Sequence, residues 1–298
     1  MKTFSTNNSN WLLPFAFITL YGSGFVATKY GLVNASPLAF LLIRFFIAFI
    51  LLILLSYFLK VAWPKSMKEV FHIAVAGSLT VAVFSIGVYI SINEGVSPSL
   101  NALIIALQPA LVSILAIKFL GEEISLRHWI GLLIGFVGVC FVVISKFELN
   151  SPEMFGILMT IFALLGLSFG NLYQKKYCSH MNLFSGGVIQ TFASFILVLP
   201  LMLAFEDIRV DWNMDLVYAI LYMSVAVSIG ALSVLYILIK KGDVSKVSSM
   251  FYLIPVCAAI MSYIFFDESI EMGVVLGIIT VLIGISLINK KDKKKRRI

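Results

Sequence analysis

The segment 107–143 recurs in this chain 146 residues later, at 253–289, without a gap. Eight positions are identical between the two copies and include a proline, a glutamate and two glycines; in the first copy they are Leu107, Pro109, Ile114, Phe119, Glu122, Ile124, Gly131 and Gly138. Apolar residues match by chance in hydrophobic sequence, but these four residue types do not readily match by chance at one offset. The sequence therefore predicts two related repeats, 1–146 and 147–298.

The composition places both repeats in a membrane. Hydrophobic residues make up 60% of the 298 positions and charged residues only 12%, which is too little polar surface to cover a soluble domain. The net charge of +7 does not favour a nucleic-acid partner, because seven of the 22 Lys and Arg residues lie in 290–297, directly after the last apolar segment. A basic cluster at that place is typical of the cytoplasmic flank of a membrane helix, so the lipid bilayer is the expected partner.

Ten apolar segments have roughly the length of about 20 residues that a helix needs to cross the bilayer. They are 11–33, 37–59, 70–92, 98–119, 125–145, 154–176, 182–205, 215–238, 246–266 and 270–289. They lack the strict alternation of barrel strands, so the predicted fold is an all-α integral membrane protein with ten helices. The first segment is interpreted as a retained helix and not as a cleaved signal peptide.

The basic residues also predict the orientation. With the N-terminus inside, 18 of the 22 Lys and Arg residues fall on the cytoplasmic side, which places both termini in the cytoplasm. Five helices per repeat is an odd number, so the second repeat crosses the membrane in the opposite direction to the first. Inverted repeats of this kind occur in transporters that work by alternating access, and the predicted location is the inner (plasma) membrane.

Three groups of residues carry a resemblance to a known family. They are Tyr21-Gly22-Ser23-Gly24-Phe25 with Lys29-Tyr30-Gly31, Pro37 with Leu42-Ile43-Arg44-Phe45, and Leu107-Gln108-Pro109 with Gly121-Glu122. Together with the repeated hairpin they resemble the EamA-like branch of the drug/metabolite transporter superfamily. The family commonly has Trp where this chain has Tyr21, and the second repeat has Gln190 at the position of Arg44.

The resemblance implies a central cavity lined mainly by helices 1, 3, 4, 6, 8 and 9, and the export of amino acids or related metabolites. Arg44 lies about 10 Å inside the second helix, at a depth where a guanidinium costs about 3 kcal/mol. It is either an anchor for a substrate carboxylate or a structural arginine. The other candidate cavity residues are Tyr21, Ser23, Tyr89, Asn101, Gln108, Ser168, Asn171, Gln174 and Tyr252. Hydrogen bonds between helices, or positions at the membrane interface, are the alternatives for these side chains.

Pro109 and Pro255 each remove a backbone donor, so both are candidate hinges, with a kink that serves only packing as the alternative. The small-residue face of Gly131, Gly135 and Gly138 is expected to pack helix 5 against helix 4 of the same hairpin. That packing is favoured over dimerisation, and a monomer over a homodimer.

All 15 acidic residues fall in loops or at helix ends, which favours downhill movement or substrate exchange over ion-coupled pumping. The sequence has no phosphate-binding glycine loop, metal-ligand spacing or nucleophile motif, and its three cysteines are dispersed, so we expect no enzyme activity, no metal and no cofactor. The predicted function is secondary transport of small organic metabolites, amino acids first among them. The alternatives are a broad-specificity drug exporter and a non-transporting scaffold or lipid-handling protein.

Overall fold

The structure is a computed structural model that describes residues 12–96, 101, 104–144, 154–242, 247, 249–266 and 272–289. The described residues form ten helical segments in chain order. They are α1 (Leu12–Asn34), α2 (Pro37–Phe58), α3 (Met67–Asn93), α4 (Gln108–Leu120), α5 (Leu126–Ile144), α6 (Met154–Tyr177), α7 (Leu183–Phe205), α8 (Met214–Lys241), α9 (a 3-10 turn Ser249–Tyr252 followed by Leu253–Phe266) and α10 (Met272–Asn289).

Six of these helices are long and apolar enough to cross a membrane, namely α1, α2, α3, α6, α7 and α8. The other four contain shorter apolar stretches, Gln108–Leu120, Leu126–Gly138, Ser249–Ala258 and Val275–Ile288. A single β-bridge, Ala35 to Val210, is the only β pairing among the described residues. The prediction of an all-helical membrane protein is therefore confirmed in its general form.

Local sequence explains several helix ends. Pro37 occupies the first turn of α2, where its missing N–H would have no helical acceptor. The side chains of Ser66 and Asn213 accept hydrogen bonds from the first-turn amides of α3 and α8. Gly121 ends α4 in the left-handed conformation, with φ of 65°, which glycine adopts without a steric penalty.

The two repeats are related by contacts that exchange under the offset of 146. In α2 and α7, Phe46 packs on Phe195 with ring centroids 5.8 Å apart, and Phe49 packs on Phe192 at 5.1 Å. Residues 46 and 192 occupy the same position in the two repeats, as do 49 and 195, and we call such residues repeat mates. Replacing each residue of one contact by its repeat mate gives the other contact. Sequence number rises along one helix as it falls along the other. The mates α2 and α7 are therefore antiparallel, as an inverted repeat requires.

Helices α5 and α10 pack in the same antiparallel way. A Cβ atom on Gly131 would lie 2.8 Å from the carbonyl oxygen of Gly284, and one on Gly138 would lie 2.9 Å from that of Gly277. The expectation that these glycines pack α5 against α4 was wrong, because they serve contact between the two repeats. Gly135 also faces across the repeats, where an added Cβ would lie 2.7 Å from the ring of Tyr252. Close backbone approach is what small residues permit in lipid.

Helices α3 and α8 each contain a π-helical stretch that the sequence did not predict. The stretches are Ser78–Val83 and Met223–Ala231, and at the offset of 146 they overlap one another. In the first stretch, the hydroxyl of Thr80 donates to the carbonyl oxygen of Ala76 at 2.8 Å and so takes up one acceptor of the widened helix. Such stretches frequently lie at functional sites, and both of these border the cavity described next.

Candidate solute site

A cavity lies between α1, α2, α3 and α8, and we call it the central cavity. Its walls combine the guanidinium of Arg44 with the aromatic rings of Tyr21, Phe25, Phe84 and Tyr89. The remaining lining residues are Gly24, Thr28, Thr80, Val81, Ser85, Val88, Met223, Val227 and Leu232. Its volume is about 40 Å³, which is room for a few water molecules.

Arg44 is held by neutral groups on two other helices. Its Nε donates to Ser228 Oγ on α8 at 2.8 Å, and its Nη1 donates to Tyr89 Oη on α3 at 3.1 Å. The hydroxyl of Ser224 donates to the backbone carbonyl oxygen of Arg44 at 3.2 Å. The side chain is therefore fixed in place, although only 4% of the residue is exposed.

The positive charge of Arg44 has no ionic counterpart among the described residues. Two of the five N–H donors of a guanidinium are engaged by Ser228 and Tyr89, and three have no acceptor in the described part of the chain. The guanidinium carbon also lies 5.5 Å from the ring centroid of Phe45 and 6.0 Å from that of Tyr89, but a buried cation without an ionic partner still costs several kcal/mol. The arrangement is suited to a carboxylate, whose two oxygens match the planar fork of donors.

Tyr21 adds a second unsatisfied group to the same cavity. Its ring packs on Phe17 at 5.2 Å and on Phe251 at 5.4 Å, while its buried hydroxyl has no hydrogen-bond partner in the described part of the chain. A buried phenol without a partner costs about 1–3 kcal/mol, so a ligand that engages it gains affinity. Of the ten predicted cavity residues, Tyr21, Arg44 and Tyr89 are brought together here.

Four other candidates make hydrogen bonds between or within helices. Ser23 contacts the hydroxyl of Tyr222 at 2.5 Å, and Asn101 donates to Ser91 Oγ at 2.9 Å. Gln174 Oε1 accepts from Gln190 Nε2 on α7 at 3.0 Å. Ser168 donates to the carbonyl oxygen of Leu164 in its own helix at 2.7 Å. Ser23 thus joins α1 to α8, Gln174 joins α6 to α7, and Asn101 bonds to α3; a part in transport for these four side chains stays a prediction.

The remaining candidates are buried but do not line the central cavity. Gln108 is fully buried at the start of α4, and Asn171 on α6 has a buried amide with no hydrogen-bond partner in the described residues. Tyr252 packs in the cluster between α5 and α10. Their part in transport stays a prediction.

The two prolines occupy matching places. Pro109 lies in the first turn of α4, directly after a non-helical turn at 106–107, and Pro255 is the third residue of the regular part of α9, directly after its 3-10 turn. Each therefore follows a break in regular α-helix. A hinge function at these breaks stays a prediction.

Several important residues were not among the candidates. They are Ser228, which holds the guanidinium, and Ser85 and Phe84, which line the cavity. No sequence signal separates these three residues from other small or aromatic residues of membrane helices. Ser224 and Ser228 are four residues apart and so share one face of α8, which is the only pattern that could have suggested them.

Hydrogen bonds close the molecule at the end where α2 begins and α7 ends, which we call the Glu206 face (residues 34–39 and 206–213). The carboxylate of Glu206 accepts from the backbone N–H of Leu38 at 2.7 Å, from the N–H of Ala39 at 2.9 Å and from the hydroxyl of Ser36 at 2.9 Å. A carboxylate at a helix N-terminus is stabilised by both these bonds and the helix dipole. These hydrogen bonds, which we call the Glu206 latch, join α2 of the first repeat to the end of α7 in the second.

The opposite end, which we call the basic face, carries Lys60, Lys65, Lys68, Lys175, Lys176, Lys240 and Lys241. There the hydroxyl of Tyr236 donates to the carbonyl oxygens of Cys178 and Met181 at 2.9 and 2.8 Å. Lys175 Nζ donates to the carbonyl oxygens of Ile239 and Gly242 at 2.7 and 2.8 Å. Both ends are thus tied by hydrogen bonds around a small cavity.

Comparison with known families agrees with this geometry. The model of the EamA-like transporter family matches residues 10–144 and again residues 154–290, so both repeats match it. The chain belongs to the EamA-like transporter family. The resemblance seen in the sequence is confirmed, and this family consists of transporters and not enzymes.

Curated relatives of this EamA-like chain are named as transporters. The uncharacterized transporter YvbV of Bacillus subtilis (strain 168) is 26% identical, over 99% of this chain and 96% of the relative. The probable amino-acid metabolite efflux pump of Escherichia coli (strain K12) is 20% identical, over 92% of each chain. A crystal structure with 16% identity superposes with a TM-score of 0.78 over 93% of this chain and 96% of its own, which supports the fold.

Proposed function

We propose that this EamA-like protein moves amino acids or closely related metabolites across the bacterial inner membrane by alternating access. Its ten helices all cross the bilayer in this proposal, with the basic face and both termini in the cytoplasm. The observation that carries the proposal is the guanidinium of Arg44, which is buried at the central cavity and has no carboxylate partner among the described residues. The name of the Escherichia coli relative supports the substrate class.

The cavity walls favour an amino acid with an apolar or aromatic side chain. The carboxylate would pair with the free donors of Arg44, and the hydroxyl of Tyr21 would accept a hydrogen bond from the ammonium group. The rings of Phe25 and Phe84 offer an apolar surface to the side chain, with edge-to-face packing for an aromatic one. L-Phenylalanine is therefore the first probe.

In this proposal the central cavity must widen before a solute binds. A volume of about 40 Å³ holds a few waters and is too small for an amino acid, so one end must separate before a solute enters. Breaking the Glu206 latch would open one side, and releasing the ties of Tyr236 and Lys175 would open the other. Because the repeats are inverted, an exchange of their conformations would convert one opening into the other.

The described residues that line the central cavity include no carboxylate, which supports movement down a gradient or exchange of one solute for another. The second repeat has a neutral glutamine where the first has Arg44, so a single cationic group serves the solute. The transport cycle then needs no ion binding by an acidic side chain of the described cavity.

Counterflow in proteoliposomes tests the proposal. Vesicles containing the purified protein are loaded with unlabelled L-phenylalanine and diluted into a trace of the labelled compound. We expect a transient accumulation of label above equilibrium, which is absent in protein-free vesicles and absent when phenethylamine, which lacks the carboxylate, replaces L-phenylalanine on both sides. Lipid scrambling without flux of any of the twenty amino acids would instead support a lipid-handling protein, and counterflow only of lipophilic cations would support a drug exporter.

A further inference from the structure

A second, smaller cavity lies next to the central one, and we call it the inner cavity. It is lined by residues of α2, α3, α7 and α8 and has a volume of about 20 Å³. Its polar wall consists of Gln190, Thr191, Ser228, Ser233 and Tyr236. Met181 and Leu183, at the start of α7, also line it, and Tyr236 is bonded to Cys178 and Met181 at the basic face, so the inner cavity lies on that side of the central cavity.

The two cavities are immediate neighbours. Val81 and Leu232 line both of them, and Ser228, which lines the inner cavity, holds Arg44 at the central cavity. Both shared apolar residues therefore stand between the two spaces. A solute that leaves the central cavity toward the basic face would pass between these two side chains.

The inner cavity carries the repeat mate of the arginine. Gln190 is the mate of Arg44, and Gln174 is the mate of Thr28. Arg44 lies seven residues into α2, which begins at the Glu206 face, and Gln190 lies seven residues into α7, which begins at the basic face. At 1.5 Å per residue, each side chain lies about 10 Å from opposite ends of the molecule.

Gln190 is held at this position with capacity to bind a ligand. A Cβ atom on Gly77 would lie 2.5 Å from Gln190 Cα, so the glycine lets α3 fix the backbone of α7 there. The amide Nε2 of Gln190 donates to Gln174 Oε1 at 3.0 Å. No described residue donates to Gln190 Oε1, and the amide of Gln174 keeps its own N–H donors.

We infer that the inner cavity is a second binding station for the transported amino acid, made of neutral hydrogen-bonding groups. This inference rests on the proposed function. The solute would pass from the charged station at Arg44, between Val81 and Leu232, to Gln190. There the second N–H of Gln190 Nε2 would donate to the carboxylate, and Gln190 Oε1 would accept from the ammonium group. Because neutral hydrogen bonds to a carboxylate are weaker than those of a guanidinium, affinity at the inner station is about tenfold lower, which favours release toward the basic face.

Cysteine reporters at the two stations test this inference. One variant carries Ser85→Cys at the central cavity and another carries Ser233→Cys at the inner cavity, each with Cys140, Cys178 and Cys257 replaced by serine. The reaction rate of each reporter with a small thiol reagent is measured against the concentration of L-phenylalanine.

We expect L-phenylalanine at ten times the dissociation constant of each station to slow labelling of that station's reporter about tenfold. The half-effect at position 233 should need about tenfold more solute than at position 85. Gln190→Leu should abolish protection at position 233 and leave it at position 85. The matched control is Ser194→Ala, one turn further along α7, whose hydroxyl donates to the carbonyl oxygen of Gln190 at 2.8 Å. It should leave both protections unchanged.

Protection at position 85 with none at position 233 would overturn the inner station and leave the carrier intact. Equal protection at position 233 with and without Gln190→Leu would also overturn it. The protection measured in the Ser233→Cys chain alone decides the question if Gln190→Leu fails to fold. If neither reporter is protected and counterflow is absent, the proposed function itself fails, and the inner station fails with it.

Discussion

The substitution Arg44→Gln separates a binding arginine from a structural one. It places at position 44 the residue that the second repeat already has at position 190. The shorter amide is neutral and polar, so it can still take part in hydrogen bonding with Ser228 or Tyr89. The variant therefore removes the charge and the fork of donors while keeping a polar side chain at the cavity wall.

The structure gives opposite signs for affinity and stability. A hydrogen bond to a charged group contributes about 1.5–3 kcal/mol, so loss of the carboxylate contact should weaken L-phenylalanine binding by about tenfold to about 150-fold. The guanidinium of Arg44 has no ionic partner among the described residues, and its burial costs about 3 kcal/mol on insertion scales. The free energy of unfolding of the solute-free protein should therefore be unchanged or increase by about 1–3 kcal/mol.

Both quantities can be measured on the same purified sample. Equilibrium binding of labelled L-phenylalanine gives the affinity, and thermal unfolding in detergent without solute gives the change in stability. Arg44→Lys is the matched control, because it keeps the charge and loses the planar fork, so its affinity should lie between those of the wild type and Arg44→Gln. If Arg44→Gln binds L-phenylalanine within twofold of the wild type and unfolds at a lower temperature, Arg44 is a structural residue and the reasoning is refuted.

Three further substitutions test the surroundings of the site. Tyr21→Phe removes a buried hydroxyl that has no hydrogen-bond partner among the described residues, so thermal unfolding should show equal or higher stability. Binding of L-phenylalanine should weaken by about tenfold, and unchanged binding would exclude this hydroxyl from the site. Glu206→Gln removes the negative charge that accepts hydrogen bonds from the N–H groups of Leu38 and Ala39, so a thiol reagent should label the Ser85→Cys reporter about tenfold faster from the Glu206 face. An unchanged labelling rate would show that these hydrogen bonds do not limit opening. Gly138→Leu places a side chain against Val281, whose backbone nitrogen would lie 2.7 Å from the new Cβ, so thermal unfolding should show a loss of about 1–3 kcal/mol of stability. The control Val137→Leu, at the exposed neighbouring position, should leave the stability unchanged.

The general architecture could be predicted because it depends on patterns that run along the chain. The repeat at an offset of 146 and the odd number of apolar segments in each copy predicted antiparallel mates, and the exchange of the Phe46–Phe195 and Phe49–Phe192 contacts agrees with that. Arg44 was found because a charged residue inside an apolar segment is costly and therefore informative. Each of these signals can be read from the order of residues along the chain, without knowing which residues are in contact.

Which side chains face the cavity could not be predicted in the same way. Lipid and protein interior are both apolar, so hydropathy does not distinguish the lipid-facing side of a membrane helix from its buried side. Gly131 and Gly138 showed that α5 has a close neighbour, but not that the neighbour is α10. Asn101 was a reasonable cavity candidate, and only the position of Ser91 reveals that its amide bonds to α3.

The π-helical stretches are a second limit. Ser78–Val83 contains residues that also suit a regular helix, so local propensity gave no sign of the widened turn. The same is true of Ser228, a single small residue whose importance arises from its distance of 2.8 Å to Arg44 Nε.

The structure of the protein bound to 4-bromo-L-phenylalanine would test the central claim most directly, since bromine can be located by its anomalous scattering. We expect the carboxylate within hydrogen-bond distance of the Arg44 guanidinium, the bromophenyl ring beside Phe25 and Phe84, and a central cavity enlarged well beyond its volume of about 40 Å³. A ligand located elsewhere, with Arg44 still bonded only to Ser228 and Tyr89, would contradict the account.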